Sequence, residues 1–118
     1  MHTMLRISVV SITLLLGVTA VSALERRFDR PRYKEESSRL DACYSFGRDC
    51  GKKVADEYCK IQGFDRALSF ETESARPTKT MVDGKTCNAS FCVSFKHIVC
   101  FTRQANPGPR RGWPQRID

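Results

Sequence analysis

Histidine is scarce in this sequence of 118 residues, which contains only His2 and His97. Histidine is the side chain that most often carries acid–base catalysis near neutral pH, so its scarcity narrows the possible chemistry. Because His2 precedes an apolar leader, a two-histidine acid–base pair, as some nucleases use, is excluded. A Ser-His-Asp triad would depend on His97, and the chain has no G-x-S-x-G motif to support a nucleophile.

One hydrolytic alternative is left, in which His97 acts together with Glu71 or Glu73. The two glutamates are two positions apart and would share one face of a strand. A glycosidase needs such a carboxylate pair, but a domain this small does not easily form a long cleft. We interpret the glutamates as a solvated strand edge and His97 as a hydrogen-bonded core residue, so we expect no enzyme activity.

Motifs for metals, phosphate and reactive thiols are also missing. The sequence has no C-x2-C pair for zinc, no D-x-D-x-D-G calcium loop and no glycine-rich loop for phosphate. All six cysteines can pair, which leaves no free thiol to act as a nucleophile. We therefore expect neither a metal ion nor another cofactor.

Only one long apolar run occurs, residues 7–20, and it follows a start with one positive charge. Small residues then lead to Ala23, which is the pattern of a secretory signal peptide, 1–23. The run is shorter than the roughly 20 residues that span a bilayer, and no second run follows. We expect a secreted chain without stable membrane insertion; an uncleaved membrane anchor is the alternative.

The six cysteines are clustered: Cys43, Cys50, Cys59, Cys87, Cys92 and Cys100. An even number in a secreted chain is typical of a disulfide framework, here of three bridges. A domain of about 60 residues needs such bridges because it buries too little apolar surface to be safely stable alone. The spacing does not choose among the possible pairings.

Residues 54–64 predict a helix with an apolar stripe at i, i+4 and i+7: Val54, Tyr58 and Ile61. Asp49 is predicted to cap its start, and Gly63 is predicted to end it. Cys59 lies beside the stripe, so we expect it to join the helix to a neighbouring strand or loop.

Three segments, 43–47, 67–71 and 91–101, have the composition or alternation of short strands. In the last, one face is predicted to pack against the core: Phe91, Val93, Phe95, His97, Val99 and Phe101. The other face carries Cys92 and Cys100. We predict an α+β fold, a small disulfide-rich domain over residues 40–102 with one helix packed on a short antiparallel sheet.

The two ends of the chain lack apolar periodicity. Residues 24–39 mix both charges, and residues 103–118 are basic and contain proline and glycine. We predict a flexible N-terminal arm and a disordered basic tail. The formal charge of +7 falls to +6 when Arg6 leaves with the signal peptide, which favours acidic surfaces as partners. In a secreted protein we do not expect nucleic acid.

Candidate binding residues are basic side chains of two loops and the tail, together with one tryptophan: Arg76, Lys79, Lys85, Arg110, Arg111 and Trp113. In the tail, arginines could hold a polyanion while the indole stacks. Asn88-Ala89-Ser90 is a sequon in a loop that we expect to be exposed, which makes Asn88 a candidate for glycosylation.

Several motifs occur in a fixed order along the cysteine-rich segment: Tyr58-Cys59, Gly63-Phe64, Pro77-Thr78, Gly84, and Phe95, Ile98 and Cys100. In this order they resemble a family of small secreted cysteine-rich proteins from land plants. The resemblance covers about 60 of the 118 residues and implies an extracellular compartment, the apoplast or cell wall, rather than an activity. A weaker likeness to lectin-type domains rests on Ala55, Cys59, Gly63 and Ala67, without the calcium-binding motifs of C-type lectins.

We expect a non-enzymatic binding or signalling module of the extracellular space or cell wall, acting as a monomer. Its partner would be a glycan, a receptor ectodomain or an acidic surface, met by loops that disulfides hold rigid. One alternative is a basic defence protein that acts on microbial membranes or walls. Another is a precursor that is cut at Arg26-Arg27 or Arg110-Arg111 to release a peptide.

Overall fold

The computed structural model of the protein describes residues 23–114. The predicted signal peptide, 1–23, lies outside the described residues except for Ala23, and so do residues 115–118 of the predicted tail. The described part has one α-helix, small sheets and three disulfides. The predicted α+β disulfide-rich fold is therefore confirmed.

The elements follow in this order: β1 (Leu24–Asp29), a 3-10 turn (Tyr33–Glu35), β2 (Arg39–Leu40), β3 (Cys43–Ser45), β4 (Arg48–Cys50), α1 (Lys52–Ile61), β5 (Arg66–Ser74), β6 (Thr78–Lys79), β7 (Thr86–Cys87) and β8 (Val93–Thr102). The main sheet is antiparallel, with β8 between β1 and β5. A second small sheet has the order β2-β6-β7, in which β2 and β6 are parallel. Strands β3 and β4 form a separate hairpin.

Helix α1 packs on the main sheet through the predicted stripe, since Val54, Tyr58 and Ile61 are all buried. Its start differs from the prediction. The N-cap residue is Gly51, with no side-chain cap, and Asp49 belongs instead to β4. Gly63 follows the helix with a φ of +90°, the left-handed conformation that ends helices, as predicted.

Strand β8 changes its core-facing side at Lys96, which has no partner in β5 because the register shifts there. Phe95 precedes this bulge, and Ile98 follows it; both are fully buried. A bulge inserts one extra residue and so reverses the alternation beyond it. The predicted single core face is therefore wrong: His97, Val99 and Phe101 are half-buried on the outer face, and Phe91 is exposed before the strand begins.

The three disulfides pair Cys43 with Cys50, Cys59 with Cys100, and Cys87 with Cys92. The second bridge joins the buried face of α1 to β8, as expected for Cys59. The other two close local segments of the chain, the β3–β4 hairpin and the loop before β8. The Cys59–Cys100 bridge thus links two core elements, whereas the other two bridges each constrain a short loop.

The predicted flexible arm, 24–39, is ordered structure instead. Strand β1 pairs along its whole length with β8, from Leu24 opposite Thr102 to Asp29 opposite His97. Phe28 anchors the strand, with its ring 5.5 Å from the Tyr58 ring and 5.8 Å from the Phe64 ring. Burial of this aromatic side chain, together with the hydrogen bonds to β8, offsets the conformational entropy that the segment loses when it becomes ordered. The charged composition of the segment does not reveal these contacts.

The predicted disordered tail is, up to residue 114, a strap that lies along the end of α1. The Gly108 N–H donates to the Gly63 carbonyl at 2.8 Å, and the Arg111 N–H donates to the Ile61 carbonyl at 2.9 Å. Trp113 packs edge-on against the rings of Tyr33 and Tyr58. These contacts satisfy carbonyl groups that a helix end leaves unpaired, which explains why a proline- and glycine-rich segment is ordered here.

Candidate functional site

Two disulfide-closed loops each present an exposed phenylalanine. Phe46 and Gly47 form the turn of the β3–β4 hairpin, which is closed by the Cys43–Cys50 bridge. Phe91 stands in the short loop that the Cys87–Cys92 bridge closes. The side chains are 56% and 71% exposed, more than any other large apolar residue among residues 23–114. Exposed apolar side chains are informative where they are grouped on one surface, because such patches mark interaction sites.

Phe46 and Phe91 line one cavity of about 230 Å³, which we call the aromatic notch. The other lining residues are Asp41, Cys43, Gly47, Cys87, Cys92 and Val93. Most of this wall is apolar, and two of the three disulfides contribute to it. The cavity is smaller than the roughly 300–1,000 Å³ of sites for drug-sized ligands, so it suits a single side chain or small group.

Asp41 is the one ionisable residue of the notch, and it is 93% buried, with 7% of its surface exposed. One carboxylate oxygen accepts the Thr78 hydroxyl at 2.5 Å, and the other accepts the Cys43 N–H at 2.9 Å. Its own N–H donates to the Lys79 carbonyl. These bonds position the carboxylate at the end of β2, where the second sheet meets the hairpin.

A second, more open concavity adjoins the notch and shares Phe46 as a wall. It is lined also by Ser45, Arg48, Val82, Asp83 and Lys85. Asp83 is held by the Thr80 hydroxyl and by the Lys85 N–H. Partial burial opposes ionisation, but these hydrogen bonds outweigh it and hold the pKa of Asp83 below its ordinary value. The rim therefore combines two basic side chains with one firmly ionised carboxylate.

The predicted loop contacts are only partly brought to this site. Lys85 lines the adjoining concavity, and Asn88 is exposed within the bridge-closed loop. Arg76 is exposed before β6. Lys79 is half-buried and pairs with Glu36 at 3.2 Å, so its ammonium group is engaged within the fold.

The predicted tail contacts lie together on the strap, where their side chains meet residues of the folded unit. Arg110 binds Glu35 at 2.6 Å and also donates to the Gln62 side chain. Arg111 lies 3.6 Å from a Glu57 oxygen. Each arginine therefore has an internal acidic or amide partner, while its side chain stays more than half exposed.

The residues of the hydrolase alternative lie on the outer part of the main sheet. His97 is half-buried there, not in the core as predicted; its Nδ1 is 3.2 Å from the Arg27 guanidinium and 3.9 Å from Glu71. Glu73 instead binds Arg39 at 2.8 Å, and this hydrogen bond, the main influence, lowers the pKa of its carboxyl group. Glu71 and Glu73 therefore have different partners, His97 and Arg39.

Within residues 23–114, no group of three or more potential ligand side chains is close enough to hold a metal ion. In the same range, no helix is both long and apolar enough to cross a membrane.

Sequence reasoning missed the residues that form the notch. The sequence pattern places Phe91 on a core face and Phe46 in a short strand, and it gives Asp41 no role. The only available signal was a phenylalanine followed by glycine between two cysteines, Phe46-Gly47, which is typical of a hairpin tip. Comparison with protein-family models, with curated proteins and with solved structures finds no match for this chain.

Proposed function

We propose that the protein is an extracellular, non-enzymatic binding module that recognises a partner protein through the aromatic notch. The observation that carries this proposal is the pair of exposed phenylalanines, each on its own disulfide-closed loop, at one cavity. Exposed apolar side chains around a concave surface are typical of interaction sites.

The rigidity of the two bridge-closed loops supports this proposal. The two bridges fix the loops before a partner arrives, so less conformational entropy is lost on association. Burying a phenylalanine side chain contributes about 1.5–3 kcal/mol, and two of them would form the energetic centre of a small interface.

The compartment is supported by the disulfides and by the apolar leader. Three bridges persist in oxidising surroundings, which the extracellular space provides. The resemblance to small secreted cysteine-rich plant proteins and the exposed sequon at Asn88 agree with secretion as a glycoprotein into the apoplast or cell wall. The partner class that fits best is a receptor ectodomain, with the protein itself acting as a monomer.

The test is a binding screen of the oxidised protein against receptor ectodomains, with a glycan array in parallel. The double variant Phe46→Ser/Phe91→Ser should lose about 100-fold in affinity for the ectodomain that is found. Leu68→Ser is the matched control, because Leu68 is also exposed (41%) but lies in β5, between two residues that pair with Cys100 and Val99 of β8. Equal binding by the double variant and the control would overturn the proposal.

A second candidate function is defence at microbial membranes, and it has its own supporting observation. Phe46 stands between the notch and the basic side chains of Arg48 and Lys85. Apolar and cationic groups side by side are the pattern of proteins that bind anionic lipid surfaces. Leakage of anionic vesicles that fades as salt rises, together with no ectodomain binding, would favour this function over the first.

A further inference from the structure

Asp41 is a buried carboxylate without a cation. No nitrogen of a basic side chain among residues 23–114 lies within 4.0 Å of its oxygens, and its two hydrogen bonds come from neutral donors. Two other part-buried carboxylates have basic partners: Asp56 has Lys52, and Glu73 has Arg39. Burying an ionised group is costly unless a counter-charge is supplied.

The surroundings of Asp41 would favour a cation. The faces of aromatic rings are electron-rich and attract ammonium and guanidinium groups, more strongly where water is excluded. Phe46 and Phe91 line the same cavity as Asp41, so one cationic group within it could meet both rings and the carboxylate. The basic side chains of Arg48 and Lys85 line the neighbouring concavity and not the notch itself.

We propose that the aromatic notch takes a cationic side chain, a lysine or an arginine, from the partner protein. This inference rests on the proposed function and specifies the group that the notch recognises. The volume of about 230 Å³ fits one side chain. A cation carried on a partner surface gains further contacts around the notch, which a free small ion would lack.

The recognition chemistry divides between two kinds of group. The aliphatic stem of the incoming side chain would lie against the phenylalanines, and its charged end would donate to the Asp41 carboxylate. Thr78 is a positioning residue, because its hydroxyl donates to Asp41 and fixes the carboxylate.

The test compares two capped tripeptides, Gly-Lys-Gly and Gly-norleucine-Gly, which differ only in the ammonium group. Binding is followed by amide chemical shifts of the isotopically labelled protein, with the Cys43 N–H, which donates to Asp41, as the reporter. We expect the lysine peptide to bind about tenfold more tightly than the norleucine peptide and to weaken as salt rises. Equal binding would overturn the cationic ligand while leaving an apolar notch in place.

Two variants test which residues of the notch cause the preference for lysine. Asp41→Asn should remove the lysine preference; its amide can donate to the Thr78 hydroxyl, so the local bonding has a substitute. Phe91→Leu keeps apolar volume at an exposed position and should weaken lysine binding while retaining norleucine binding. A lysine preference that survives in both variants, or no shift at the notch with either peptide at ~10 mM, would overturn the inference. The ectodomain screen with the phenylalanine variants tests the proposed function separately.

Discussion

At the scale of single residues, the junction between α1 and the strap depends on the close approach of two glycine backbones, Gly63 and Gly108. Gly63 has a φ of +90°, and a methyl group built on it would overlap the Gly108 carbonyl. Tyr58 lies beneath the same junction, buried against Phe28 and Trp113. Each of these residues therefore affects both the helix end and the attachment of the strap.

Gly63→Ala should destabilise the fold and displace the strap. The left-handed conformation costs a non-glycine residue about 1–2 kcal/mol, and the overlap with Gly108 adds to it. Trp113 is the chain's one tryptophan, so a red shift of its emission would report the loss of its packing. Gly47→Ala is the matched control: its φ is +71°, but nothing lies within 4 Å of the added methyl group. Equal losses of stability in the two variants would contradict this prediction.

Tyr58→Phe should remove part of the protein's sensitivity to alkali. Burial raises the pKa of Tyr58 from 10.0 to about 12, because the phenolate would lose its hydration. The folded pKa lies above the unfolded one, so its stabilising effect is complete below pH 10 and is lost as pH rises through 12. Urea unfolding across this range should show a smaller decline for the variant. An identical decline in the two proteins would show that Tyr58 ionises normally.

At the scale of elements, the three disulfides differ in what they stabilise, the whole fold or a single loop. The Cys59–Cys100 bridge spans 41 residues of sequence, whereas the other two span 7 and 5. Loop-closure entropy grows with the length enclosed, so the long bridge restricts the unfolded chain most. The short bridges restrict it less, but they hold the two loops that carry Phe46 and Phe91.

Replacing the bridges by serine pairs should separate these tasks. Removal of Cys59–Cys100 should cost about 4 kcal/mol of unfolding free energy, and removal of Cys43–Cys50 about 2.5 kcal/mol. Denaturant unfolding measures both. The variant without Cys43–Cys50 should also lose affinity for the notch ligand by more than its remaining folded fraction explains. Similar stability losses in the two variants would contradict the assignment of tasks.

The sequence predicts those parts of the fold that depend on local patterns, and it fails where distant partners decide. The stripe of Val54, Tyr58 and Ile61 and the stop at Gly63 are local, and both are confirmed. The core face of β8 is not local, because the bulge at Lys96 arises from pairing with β5. The notch depends on distant partners for the same reason: tertiary contacts, such as the Ala42 N–H bond to the Val93 carbonyl at 2.8 Å, bring the Phe46 and Phe91 loops together.

At the scale of the whole molecule, the folded unit is larger than the cysteine-rich segment. The predicted boundaries, 40–102, would omit β1 and the strap, which supply Phe28 and Trp113 to the edge of the core. The ion pairs of Arg110 and Arg111 are exposed and contribute little on their own. The indole and the two backbone hydrogen bonds are what hold the strap.

A chain limited to residues 40–102 should therefore not fold cooperatively, whereas residues 24–114 should. Loss of Phe28 and Trp113, which are both partly buried, removes at most about 3–6 kcal/mol of apolar burial, a large part of the stability of a small domain. The loss of β1 also exposes one edge of β8, which invites association with other chains. Near-ultraviolet circular dichroism and thermal unfolding compare the two oxidised chains. We expect a sharp transition only in the longer chain, because its two ends supply Phe28 and Trp113 to the edge of the core. A sharp transition at the same temperature in both chains would show that β1 and the strap are not needed for folding.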